Sequence, residues 1–257
     1  MNAWLPLVRG GVLRPAENAL RDRVVLVTGA NGGLGRACAL ECARAGATVV
    51  LAGRKVQALE RLYDEIESLG APKPAIYPID LAGASADDYA SMAEALRIQC
   101  GHLDAIVHAA ALFEGLRPID QIKADAWMRA QQVGLNAPFL LTQACLPLLR
   151  EREDAAVVFV LDDPARMGKA YWAGYGVAKM ALGTFACVLH EETENSRVRV
   201  HALLPAPMRT GLRRMAYFGE DTMTIEPPDG AAATAAYLTS AEAARLRGQT
   251  LDLRRID

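Results

Sequence analysis

The chain of 257 residues has little that would mark it for nucleic acid, metal or membrane. Its formal net charge is −2, from 28 basic and 30 acidic side chains, and no basic stripe appears. Such a balance argues against non-specific nucleic-acid binding. The five cysteines, Cys38, Cys42, Cys100, Cys145 and Cys187, lack the paired short spacings of a zinc site or disulfide framework. Reduced thiols in a cytoplasmic protein are therefore expected. The four histidines, His102, His108, His190 and His201, are scattered. His108 and His201 sit in strand-like runs, where a satisfied core histidine is the simpler reading, so no metal site is expected. Near the start, the apolar run from Ala3 to Val8 is interrupted by Pro6 and is too short for a secretory or membrane segment. No repeat or linker composition divides the chain. The expectation is one α/β domain over residues 23–257, preceded by an irregular arm over 1–22 with Pro6, Gly10, Gly11 and Pro15 as breakers.

What is present starts at Val24. Val24, Val25, Leu26 and Val27 form an apolar run without alternation, as in a strand buried on both faces of a parallel sheet. A turn follows with Gly29, Gly32, Gly33 and Gly35, and then a helical pattern with apolar positions 34, 37, 38, 42 and 45. Strand, glycine turn and helix together form a phosphate-binding unit, because the bare turn lets the backbone approach a ligand and the helix start offers free N–H groups. A second strand, Ala47 to Ala52, ends at Gly53-Arg54-Lys55. An acidic residue at that end would bind a ribose 2′-hydroxyl, whereas a basic one accepts a 2′-phosphate. Arg54 therefore favours NADP(H) over NAD(H), with the alternative that Arg54 and Lys55 only open a solvated helix.

The turn, Thr28-Gly29-x3-Gly33-x-Gly35, resembles the TGxxxGxG of the short-chain dehydrogenase/reductase family. The resemblance covers residues 22–254 and implies a doubly wound parallel sheet, the Rossmann fold, with ligands at the carboxyl ends of the strands. It implies cofactor contacts from Gly29, Asn31, Gly33, Leu34 and Gly35, from the Asp80-Leu81 pair, from Ala109 and from Pro205. It also implies a substrate lid at about 206–230. Ala109-Ala110-Ala111 stands where the family usually has Asn-Ala-Gly, Gly134 stands where it has an active-site Asn, and Ala206 replaces a Gly. Asn136, two residues from Gly134, lies on a different helix face. The helix around Phe139 to Leu149 resembles the family's dimer-forming helix and implies a homodimer or homotetramer, although core packing would explain the same apolar residues.

Tyr175-Gly176-Val177-Ala178-Lys179 follows the strand Val157 to Leu161. On a helix, residues four apart share a face, so the Lys179 ammonium is expected near the Tyr175 hydroxyl, lowering its pKa and binding the nicotinamide ribose. Tyr175 can then exchange a proton with a small carbonyl or alcohol substrate while hydride moves to or from the nicotinamide. The family's serine before this tyrosine is missing, since no serine occurs between Ser91 and Ser196. Alignment back from Tyr175 puts Asp163 at its position, with Asp162 beside it; alternation in an extended strand exit lets only one face the cleft. Ionised, Asp163 would repel a substrate oxyanion and raise the tyrosine pKa; protonated, it could donate as the serine does. Asp162-Asp163-Pro164 as a plain turn is the alternative. Two functions follow. One is an NADP(H)-dependent oxidoreductase using Tyr175, Lys179 and Asp163; the other is a catalytically weak or silent NADP(H)-binding protein with an interaction or sensing role.

Overall fold

The computed structural model describes residues 4–254; residues 1–3 and 255–257, the outer ends of the expected arm and domain, lie outside the described residues. In chain order the elements are β1 (Leu7–Arg9), β2 (Val24–Thr28), α1 (Gly33–Arg44), β3 (Thr48–Gly53), α2 (Val56–Ser68), β4 (Ala75–Pro78), α3 (Ala86–Cys100) and β5 (Ala105–His108). They continue with α4 (Ala124–Gln131), α5 (Ala137–Arg150), β6 (Ala155–Val160), α6 (Pro164–Met167), α7 (Ala173–Thr193), β7 (Val198–Leu204), α8 (Gly211–Ala216), α9 (Asp229–Thr239) and β8 (Thr250–Asp252). The eight strands form one parallel sheet in the order β1-β8-β7-β6-β5-β2-β3-β4.

The sequence explains these elements. β2, β6 and β7 read VVLVT, AAVVFV and VRVHALL and are buried along their whole length, as strands covered on both faces must be. Successive side chains alternate between two cores. Val25 and Val27 face α1, α2 and α9, together with Cys38, Leu59 and Ala232. Val24 and Leu26 face α3, α5 and α7, together with Met92, Leu141 and Leu182. The alanine-rich α9 packs on α1, where small side chains allow close approach. Between β2 and β5, which are direct neighbours, the winding reverses. β3 and β4 lie to one side, β6 to β8 to the other, and this switch point opens a cleft at the strands' carboxyl ends.

Two features differ from expectation. The arm is not irregular throughout: Leu7, Val8 and Arg9 pair with Thr250, Leu251 and Asp252, adding a strand to the sheet edge. Trp4 anchors it, donating its indole N–H to the Met180 carbonyl at 3.1 Å. Its ring fills the space a Cβ on Gly183 of α7 would occupy, 2.2 Å from the indole nitrogen. Second, α4 and α5 are joined through a π-helical turn, Gln132–Asn136. This turn presses the helix pair onto α7, where a Cβ on Gly134 would come 2.7 Å from the Ala178 Cβ.

Candidate functional site

At the switch point lies a cleft of about 450 Å³. Gly29, Asn31, Gly33, Leu34, Gly35, Arg54, Asp80, Leu81, Ala109, Tyr175, Lys179 and Pro205 line it, and Asp163 does not. The glycine turn is shaped by contact as well as by ligand access. Gly29 has φ +67°, and a Cβ there would stand 2.8 Å from the Ala110 Cα, so only glycine fits without strain. A Cβ on Gly35 would meet the Gly29 carbonyl oxygen at 2.2 Å. Thr28 ties the turn to the segment after β5, accepting from the Ala110 N–H at 3.2 Å and donating to the Val107 carbonyl at 3.4 Å. This hydroxyl links the two strand ends in a segment that lacks the expected asparagine.

The donors on this side suit a dinucleotide phosphate. α1 begins at Gly33 without a side-chain cap, leaving its first N–H groups directed into the cleft mouth. Arg54 follows β3, is about half exposed and stands 3.8 Å from Asp80. That loose contact leaves its guanidinium able to take a phosphate. The bare turn, the open helix start and the accessible cation together fit a phosphorylated dinucleotide. Leu81 is buried beside them.

On the other side Tyr175 and Lys179, one turn apart on α7, are both buried. Lys179 Nζ donates to the Val160 carbonyl at 2.7 Å and lies 6.0 Å from the Tyr175 ring centre. Burial pushes its pKa down to about 8, against an opposing pull from Asp162. His108 is buried below, stacked 5.0 Å from the Phe159 ring and bonded to Thr142 at 2.9 Å. Burial and the nearby Lys179 push its pKa down to about 3, keeping it neutral.

The aspartate expectation is corrected. Asp162, not Asp163, faces Tyr175, whose hydroxyl donates to Asp162 Oδ2 at 2.7 Å. Asp162 Oδ1 accepts from the Asp163 N–H at 2.7 Å and from Arg166 Nη2. Asp163 instead caps α6, accepting from the Ala165 N–H at 3.0 Å, and pairs with Arg254 at 2.5 Å. The reason is local: an Asp directly before Pro at a helix start is an N-cap followed by the favoured first residue, which commits Asp163 to the backbone. Alternation then turns Asp162 into the cleft. A carboxylate here raises the tyrosine pKa as expected of an ionised one, but the lowering expected from Lys179 is not found. Burial first, and the Asp162 carboxylate second, hold the Tyr175 hydroxyl well above its usual range, with Arg166 opposing. The Asn136 amide bonds to Gln132 at 3.0 Å on the exposed side, away from Lys179.

Several residues here carry no signal in spacing or motif. Arg166 pairs with Asp162 one turn away. Its guanidinium lies 5.4 Å from the Trp172 ring centre and 5.8 Å from that of Tyr217. Phe113 packs against both Trp172 and Tyr175, with centroids 5.3 and 5.4 Å apart. Tyr217, in the segment after α8, is covered by Arg213 at 4.7 Å, itself held by Glu220 through two bonds of 2.6 Å. Only the i,i+4 separation of Asp162 and Arg166 was legible, and only once a helix was assigned there.

The family model described as short chain dehydrogenase matches residues 23–219. This chain belongs to the short-chain dehydrogenase family. It is 32% identical to an uncharacterised oxidoreductase, YciK, of Escherichia coli (strain K12), over 93% of this chain and 94% of that protein. A short chain dehydrogenase structure from Shigella flexneri, complexed with NADP, superposes with a TM-score of 0.88 at 31% identity, covering 92% of this chain and 99% of that one. One from Escherichia coli CFT073, complexed with NADPH, gives 0.88 at 32% identity, covering 93% and 99%. The short-chain dehydrogenase fold thus spans nearly the whole chain, and the cleft lies where the sheet's winding reverses. Among the described residues no helix is long and apolar enough to cross a membrane.

Proposed function

We propose that this protein is an NADP(H)-dependent oxidoreductase acting on a small carbonyl or alcohol in the cytoplasm. The carrying observation is that the glycine turn, Arg54 and the Tyr175–Lys179 pair line a single cleft. The NADP and NADPH complexes of the Shigella and Escherichia relatives support the choice of dinucleotide. When bound, the dinucleotide donates or takes up hydride. The turn from Gly29 to Gly35 and the start of α1 hold its pyrophosphate, and Arg54 takes the 2′-phosphate. Lys179 bonds the nicotinamide ribose, and Tyr175 exchanges a proton with the substrate oxygen. Exposed Trp127, Met128, Phe139, Val177 and Val188 on α4, α5 and α7 support a homodimer or homotetramer.

The test is fluorescence titration with NADPH and NADH, using wild type and Arg54→Ala. A charge-assisted contact to phosphate contributes about 1.5–3 kcal/mol, so NADPH affinity should fall roughly 10- to 100-fold with NADH binding little changed. Equal loss for both nucleotides would remove Arg54 from the 2′-phosphate site, and no binding of either would end the reading. One observation favours a second reading, a catalytically weak NADP(H)-binding protein with an interaction or sensing role: the tyrosine proton is already engaged by Asp162. NADPH binding without turnover over a broad carbonyl and alcohol panel would select it.

A further inference from the structure

The group opposite Tyr175 changes which way a proton can move. A serine there would be a donor, able to hold a substrate oxygen alongside the tyrosine. A carboxylate has only acceptors. Asp162 takes the single Tyr175 proton at 2.7 Å, which leaves the tyrosine oxygen with lone pairs and no proton to offer a second partner. What Tyr175 can do in this arrangement is accept. With Asp162 ionised, the substrate oxygen must then be the donor, which makes it a hydroxyl; a carbonyl is taken only when Asp162 is neutral.

The carboxylate is firmly held in this role. Its other oxygen accepts from the Asp163 N–H at 2.7 Å and from Arg166. Arg166 is fixed in turn between Trp172 and Tyr217 and bonds the Tyr217 hydroxyl at 3.4 Å. Two cations therefore flank the dyad, Arg166 beside Asp162 and Lys179 behind Tyr175, with Lys179 anchored on the Val160 carbonyl. Among the described residues, Arg213 is bound by Glu220 and His108 by Thr142, so neither competes for Asp162.

Resting on the oxidoreductase reading above, we propose that Asp162 is the proton terminus of this site, that Tyr175 relays to it, and that Arg166 is the positioning residue for Asp162. In alcohol oxidation the substrate hydroxyl proton passes to Tyr175 Oη as the Tyr175 proton passes to Asp162 Oδ2. The substrate C–H bond breaks with its electron pair going to the oxidised dinucleotide, and the C–O bond becomes a double bond. The products are a ketone or aldehyde, the reduced dinucleotide and a neutral Asp162, which returns its proton to water. Carbonyl reduction is the same sequence reversed, starting from neutral Asp162. The walls beside this proton path are Phe113, Trp172 and Tyr217, so the alcohol it takes carries an apolar, flat group.

The experiment combines a substrate-free and a kinetic readout on wild type, Asp162→Asn, Asp162→Ser, Arg166→Gln and Arg166→Lys, each checked for folding by thermal unfolding. Tyrosinate absorbance is followed against pH, with Tyr175→Phe subtracted to isolate Tyr175. Asp162→Ser should bring Tyr175 ionisation down by at least a pH unit. In NADP+-dependent oxidation of aryl-substituted secondary alcohols, Asp162→Asn should lower kcat by about 10²- to 10⁴-fold, the range for a general base, with KM little changed. The acid limb of the rate profile should move in Asp162→Ser to the pH at which Tyr175 titrates. Arg166→Gln should lower kcat with KM little changed, and Arg166→Lys should restore part of the loss, whereas a merely structural arginine would change yield and leave kcat of the folded protein in place. An unmoved Tyr175 titration in a folded Asp162→Ser protein overturns the proposal, whether or not any alcohol is turned over. So does higher kcat in that variant with the limb unshifted. NADPH titration of the same samples separates the two levels: failure to bind NADPH in wild type ends the oxidoreductase reading itself, whereas normal binding with an unmoved tyrosine ends only the role of Asp162.

Discussion

Replacing Lys179 by methionine should make the protein more stable at neutral pH while removing its chemistry. Lys179 is buried beneath Tyr175, and burial lowers its pKa from 10.5 to about 8. A unit of pKa corresponds to about 1.4 kcal/mol, so holding the ammonium in the folded state costs about 3 kcal/mol below pH 8. Its bond to the Val160 carbonyl, at 2.7 Å, returns about 1.5–3 kcal/mol in a charge-assisted hydrogen bond. That bond already contributes to the shifted pKa, yet its loss still leaves the Val160 carbonyl unpaired in the variant, at a cost of about 1–3 kcal/mol. The expected net gain of Lys179→Met at pH 7 is therefore roughly 0–2 kcal/mol, and its pH dependence is more diagnostic than its size. Between the folded pKa near 8 and the unfolded value near 10.5, the unfolded chain binds one more proton than the folded one. Wild type therefore gains stability from this group as pH rises through that window, and the variant does not. From pH 7 to about 9.5 the gap should move by about 2 kcal/mol in favour of wild type. Urea unfolding of both proteins at the two pH values measures it, and subtraction cancels the other groups that titrate there, including the buried thiols of Cys38 and Cys42. A gap that stays constant with pH would refute the account of Lys179 as a strained buried cation.

Tyr175→Phe should abolish turnover, by about 10²- to 10⁴-fold in kcat, while NADPH affinity stays near wild type; steady-state kinetics beside a fluorescence titration would show both, and retained turnover would remove Tyr175 from the proton path. Trp4→Ala should destabilise the fold by about 3–5 kcal/mol, as for other buried aromatic truncations, because Gly183 leaves a notch that only the indole fills. Chemical denaturation measures this, and a loss below about 1 kcal/mol would mean that the arm is not anchored there.

How much of this was legible depended on how local each cause is. The central strands announce themselves because burial on both faces demands uninterrupted apolar runs, as in Val24–Thr28 and Ala155–Val160. The glycine turn and the Tyr175–Lys179 spacing are equally local, and both line the cleft. β1 was missed because three residues show no period, and its partner lies at the far end of the sequence. The π-helical turn at Gln132–Asn136 leaves no mark in a helical pattern it interrupts by one residue. The aspartates were misassigned by one position. Counting back from Tyr175 does not say which carboxylate the following helix claims, although Asp163-Pro164 carried that information as a capping pair. Arg166, Trp172 and Tyr217 meet only through tertiary packing, and neither their types nor their spacing indicated a shared site. The lowered tyrosine pKa expected from Lys179 failed for a related reason: burial and the Asp162 carboxylate raise it, and the cation that opposes them is Arg166.

The pairing of β1 with β8 also dictates an order of events. The Thr250 hydroxyl bonds the Leu5 carbonyl across a separation of 245 residues, about as non-local as a contact in this chain can be. Closing so long a loop is costly before the intervening sheet exists and cheap afterwards, because by then the two ends are already held near each other. The first strand in sequence is therefore the last to arrive, docking as a latch on a finished edge. Trp4 enters the notch of α7 only after the rate-limiting barrier, so its loss should accelerate unfolding and leave the refolding rate almost untouched. The helix it latches onto is the one that carries Tyr175 and Lys179. Release of the arm would thus remove a contact from the helix on which Tyr175 and Lys179 stand.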